Sequence, residues 1–139
     1  MSKELGRVYG FDPQVYPRKI WVAVGGDIGT LRASFCQNDG EQLDFKDMDK
    51  YSASTTAVTE KDTGLFGELI WFPKKSDMRF DYIAHEATHA AMDIFGDIGI
   101  VPDVNNQEPL AYLVGWISDC IYNVKRGKAS RACHSVLYI

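Results

Sequence analysis

The segment AHEATHAAMDIFG, Ala84 to Gly96, carries two of the chain's three histidines, and they flank a glutamate. His85 and His89 are four residues apart. On a helix, residues at i and i+4 project from one face, so both imidazoles reach a single metal ion. Glu86 then lies about 100° further round the axis. It is ill-placed to ligate but able to reach a water held on the ion. H-E-x-x-H on a helix is the pattern for zinc-dependent hydrolysis with Glu as general base. The plainer alternative is a pair of structural histidines on a core helix. Ala87, Ala90 and Ala91 oppose it, because small residues let a second helix approach closely, as a shared metal requires.

Catalytic zinc sites take three protein ligands as a rule. No paired cysteines are present, and the run after His89 lacks the Gly and the His of a continued motif, with Phe95 at the position of that His. His134 lies on a basic tail. Asp93, four residues after His89, suits bracing an imidazole or facing solvent, and Asp103 falls in a connecting loop. Glu108 is the best candidate. It stands 19 residues past His89, in the first turn of the next expected helix, NNQEPLAYLVGWI. An antiparallel helix pair joined by such a loop brings the start of the second helix back to the middle of the first. Taken alone, Glu108 reads as an acid favouring a helix N-terminus. Glu108, Ala111, Tyr112 and Gly115 share a helical face that is small apart from the tyrosine, and it is expected to pack on the alanine-rich helix.

These residues need elements to position them. The metal helix is expected from about Met78 to Phe95, capped by Ser76 or Asp77 and stopped by Gly96. The following helix runs from about Gln107 to Val124, capped by Asn105 or Asn106, with Pro109 tolerated in its first turn. Leu110, Leu113, Val114, Ile117 and Ile121 form its apolar stripe. Upstream, KIWVAV (Lys19 to Val24) reads as a strand. DIGTLRASFC reads as a short helix behind an Asp27 cap, and QNDGEQLDFKDMDKYSAS as a loop. Thr55 to Lys61 and Leu65 to Phe72 read as a hairpin. Residues 1–19 read as an extended lead-in, and 125–139 as a C-terminal tail in which HSVLYI is a last short strand or unpaired. The order is α+β: a small mixed sheet, an active-site helix and a following Glu-bearing helix.

The totals fit one domain over 1–139. Hydrophobic residues make up 45% and charged residues 24%, as in an ordinary globular protein. The net charge of −4 argues against a general nucleic-acid binder. The basic run Lys125, Arg126, Lys128 and Arg131 lacks interleaved aromatics and reads as a solvated helix end. Cys36, Cys120 and Cys133 fit no closed disulfide framework and read as reduced thiols. MSKELGRVYGFDP has no apolar signal core, and no run approaches the ~18 apolar residues that span a membrane. A cytoplasmic protein without membrane or nucleic-acid partners is expected.

Over roughly Ile83 to Asp119, the pairing IAHEATHAA with NNQEPLAYLVGWI resembles zincin-fold metallopeptidases of the gluzincin type. It is also similar to small metallopeptidase-like proteins encoded by bacteriophages and prophages. The resemblance implies Zn2+ on His85, His89 and Glu108, with Glu86 as base. Its usual bracing Asp, four residues after the ligand Glu, is replaced here by Tyr112, which leaves Asp81, Asp93 and Asp119 as candidates. It also implies peptide substrate added to the edge strand before the active helix, which would be Gly67 to Phe72. An oxyanion donor is needed as well, with Tyr112 the first choice and Tyr82 the second. The expected function is therefore a zinc-dependent peptidase acting on a peptide or protein substrate. The rival is a zincin-fold metal-binding or interaction module without independent activity. Glu86 favours the enzyme, because a pure metal scaffold has no need of it.

Overall fold

The computed structural model describes residues 7–45 and 52–129. Five strands form one mixed sheet in the order β1-β2-β5-β4-β3, and three helices pack against its faces, an α+β arrangement. β1 is Arg7–Phe11, β2 Lys19–Val24, β3 Phe35–Cys36, β4 Ser54–Glu60 and β5 Phe66–Phe72. β2 and β5 run parallel at the centre, and the other pairings are antiparallel. Between β2 and β3 lies α1, Ile28–Ser34, capped by the Asp27 side chain accepting from the Thr30 amide. α2 is Phe80–Ile98 and α3 is Glu108–Lys125. No described helix is long and apolar enough to cross a membrane.

Side-chain alternation along the strands divides the core in two. Ile20, Val22, Ile70 and Phe72 face α2 and α3. Trp21, Ala23, Val58, Leu69 and Trp71 face the opposite side, where α1 and the segment after β3 cover them. Ala87, Ala90 and Ala91 are fully buried where α2 meets α3, whose buried side is Leu113, Trp116, Ile117, Cys120, Ile121 and Val124. β5 lies close against β2. A Cβ on Gly67 would collide with the Lys19 carbonyl oxygen, so only glycine fits there.

Several expectations need correction. The lead-in is not free: β1 pairs with β2, and Phe11 is buried against the α2 and α3 side. Tyr9 and Phe11 alternate with Val8 as a strand requires, but Gly10 and Pro13 hide the pattern. The polar stretch after β3 is irregular, yet Leu43 and Phe45 plug into the second core. α2 starts at Phe80 with no side-chain cap, because Ser76 and Asp77 belong to a separate 3-10 turn. It runs through Gly96 and stops at Gly99, whose φ of 80° is the left-handed stop. Neither Asn105 nor Asn106 caps α3: Gln107 precedes it without a side-chain cap, and Asn106 bridges Asp103. β5 is not an edge strand, since β2 and β4 flank it. His134, Cys133 and the HSVLYI segment lie outside the described residues.

Candidate metal centre

α2 packs across β4 and β5. Its buried face is Ile83, Ala87, Ala90, Ala91, Ile94 and Phe95, which leaves His85 and His89 exposed on the next face round. The two imidazoles converge. Their Nε2 atoms are 3.0 Å apart, and each is the other's hydrogen-bond partner. The ring planes are steeply inclined, at 77°. Nitrogen ligands sit about 2.0–2.1 Å from zinc, so a separation of 3.0 Å is short enough for both to bond one ion. The donor pair therefore fits a zinc-type cation. The hydrogen bond needs a proton on one Nε2; with the ring protons on Nδ1 instead, the same pair would turn two lone pairs toward such an ion.

Glu86 is turned the other way, toward the sheet. It is 6% exposed, one of two buried acidic side chains among the described residues. The Thr55 hydroxyl on β4 donates to Glu86 Oε2 at 2.6 Å. That bond satisfies one carboxylate oxygen and fixes the carboxylate's orientation, while no group among the described residues donates to Oε1. A carboxylate buried this far is costly without such a partner. Thr55 is a site residue that sequence reasoning missed. Its pairing with Glu86 joins two residues 31 apart, and nothing in STTAVTE singles it out.

The remaining candidates are placed as follows. Glu108 is exposed on the first turn of α3. Among the described residues, no three His, Cys, Asp or Glu side chains form a group able to hold a metal ion. The structure thus gathers two donors, and Glu108 is not with them. Ala111, Tyr112 and Gly115 are exposed as well, with Tyr112 at 44%. The face expected to pack on α2 is therefore the solvent face of α3, because the larger side chains Leu113, Trp116 and Ile117 take the core. Tyr82 is half-buried under the Arg79 guanidinium. Neither imidazole is braced by a carboxylate among the described residues. Asp81 pairs with Arg79 at 2.9 Å, Asp119 accepts weakly from Asn123 at 3.4 Å, and Asp103 accepts from the Asn105 amide.

Asp93 lies beside a second buried acid, Glu68 on β5. Glu68 is fully buried, and among the described residues no group stands in hydrogen-bonding geometry to either carboxylate oxygen, although the Asp93 carboxyl lies close by. Burial pushes its carboxyl from an ordinary 4.5 up to about 11, helped by Asp93 and Asp97 and opposed by Arg18. Glu68 is therefore protonated at neutral pH. Its signal in the sequence is a lone acid inside an apolar strand, FGELIWF.

The outer edge of β4 borders an open cleft of about 650 Å³. The Glu60 amide bonds to the Leu65 carbonyl, which sets the phase of the β4–β5 ladder. Alternation then turns the amides and carbonyls of Thr55 and Ala57 outward. β3 pairs only with Thr59 and Glu60, so no described strand pairs with Thr55 or Ala57 on that edge.

No protein-family model, curated protein or solved structure matches the chain.

Proposed function

We propose that the chain is a zinc-dependent hydrolase of peptide bonds. The observation that carries this reading is the adjacency on one helix of two converging imidazoles and a buried carboxylate held by Thr55. His85 and His89 would hold Zn2+, and Glu108, which stands apart from them on the first turn of α3, would have to move in to supply the third position. Zinc bound there would supply Lewis acidity toward the scissile carbonyl and a water. Glu86, with one oxygen anchored by Thr55, takes the water's proton on the other and delivers it to the leaving amine. The peptide adds to the outer edge of β4, where Thr55 and Ala57 present free backbone groups, and not to the central β5. Thr55 then contributes twice, through its backbone to substrate and through its hydroxyl to the base.

A metal-binding or interaction module without peptidase activity is the second reading. The observation that favours it is that two donors, not the three an enzyme would use, are gathered among the described residues.

The decisive experiment combines zinc analysis with a peptide-library digest. The hydrolase reading expects about one zinc per chain and cleavage that falls at least ~10²-fold in Glu86→Gln, the scale of lost general-base catalysis. Zinc content and melting temperature should stay near wild type in that variant. Equal cleavage by both proteins, or none by zinc-loaded wild type across broad libraries, would overturn the reading in favour of the module.

A further inference from the structure

The cleft at the β4 edge has walls of two kinds. One is β4 itself, Ser54 to Ala57, and the other is the strap after β3, which contributes Asp39, Asp44 and Phe45. Asp39 and Asp44 are both exposed, and neither makes an ion pair among the described residues. The Glu41 amide donates to Asp39 Oδ1 at 2.9 Å, leaving its second oxygen open. Arg32 is tied to the strap through the Leu43 carbonyl at 2.8 Å and pairs with neither acid. Phe45 is held firmly against Trp71, ring centroids 5.2 Å apart. The cleft thus carries an edge of the largely buried Phe45 and two carboxylates with no ion-pair partner among the described residues, beside backbone groups that no described strand pairs with.

We propose that this cleft is a subsite for a lysine or arginine side chain of an extended peptide lying along β4. Both side chains are amphipathic. Their alkyl stems lie on apolar surface while the charged head stays in polar surroundings, and Phe45 together with Asp39 and Asp44 supplies that pair of environments. An acidic side chain would meet two like charges at the same place. The volume, within the ~300–1,000 Å³ of ordinary ligand clefts, exceeds one side chain and accommodates its neighbours too. Thr55 lines the cleft and also holds Glu86, so the basic residue falls close to the bond being cut. The inference rests on the peptidase reading for its substrate class, but binding tests it separately from cleavage.

The test uses zinc-equilibrated Glu86→Gln protein and two fluorescent peptides that differ only by Lys or Glu at the central position of an uncharged host. Anisotropy titrations at ~50 mM salt should show the lysine peptide binding about 10-fold tighter or more. The preference should shrink to within about 3-fold at ~500 mM salt, where exposed charges are screened. It should shrink equally in an Asp39→Asn/Asp44→Asn double variant, whose circular dichroism and melting temperature establish that it folds. Equal binding of the two peptides, no binding of either, or a preference that survives in the double variant would overturn the subsite. Cleavage by wild type is scored apart from binding. A lysine peptide that binds selectively but is never cut sinks the peptidase and leaves the subsite standing. Cleavage without basic preference does the reverse.

Discussion

Glu68→Gln removes the one strongly displaced carboxyl among the described residues and keeps its size. Glu68 sits on the central strand, facing Asp93 and Asp97 on α2, with Arg18, just before β2, as the opposing cation. The Arg18 Nε also approaches Asp97 Oδ2 at 3.5 Å, so its charge is shared. In the folded chain the carboxyl holds its proton to about 11, whereas the unfolded chain releases it near 4.5. Between those values the folded state binds more protons, so wild-type stability falls as pH rises through this window. At pH 7 the window has been crossed by about 2.5 units, which at ~1.4 kcal/mol each amounts to an upper limit of about 3 kcal/mol. Glutamine does not titrate and escapes that loss. Urea unfolding followed by tryptophan fluorescence at pH 5, 7 and 8.5 measures the difference. The two proteins should be close at pH 5, and the variant should gain steadily above it. Its midpoint advantage should reach as much as ~1.5 M at pH 7 for a urea slope near 2 kcal/mol per molar. A constant difference across pH, or one that shrinks as pH rises, would refute a buried neutral Glu68.

Three further outcomes follow from the site. Thr55→Val keeps the β-branched shape but frees the Glu86 carboxylate, and is expected to lower turnover about 10-fold with zinc content unchanged; steady-state kinetics beside metal analysis checks it. His89→Ala should lose zinc altogether and, with it, the stability that bound metal contributes, read as a melting temperature no longer responsive to added zinc. Glu108→Ala should weaken zinc affinity about 10- to 100-fold in chelator competition, and an unchanged affinity would remove Glu108 from the ligand set.

What could be read from the sequence was mostly local. The His85–His89 convergence follows from helical spacing alone, and β2 was delimited by its own composition and the GGD that ends it. The α1 cap at Asp27 was equally visible. The stop of α2 was not, because Gly96 and Gly99 are three residues apart and a glycine tolerates a helix interior. The deciding bond, from the Ile100 amide to the Phe95 carbonyl, closes only at the second of them. Sheet order was equally hidden. β2 and β5 are neighbours although more than forty residues separate them, and that adjacency is what turns β5 into a central strand. The face of α3 was misjudged because small residues mark a close helix contact only where larger ones nearby do not compete for the core, and Trp116 does.

The Thr55–Glu86 bond has a consequence for the order in which the site is assembled. Two imidazoles four residues apart need only one turn of α2 to meet. The carboxylate between them is anchored only once α2 has docked on β4, a contact that closes 31 residues of chain. If zinc is the ligand, a growing or partly folded chain can capture it well before the base is in register. Hydrolytic competence would then arrive with the last tertiary contact, which protects a nascent chain from cutting itself. A synthetic peptide spanning Phe80 to Ile98 should accordingly bind zinc weakly through its histidines and hydrolyse nothing.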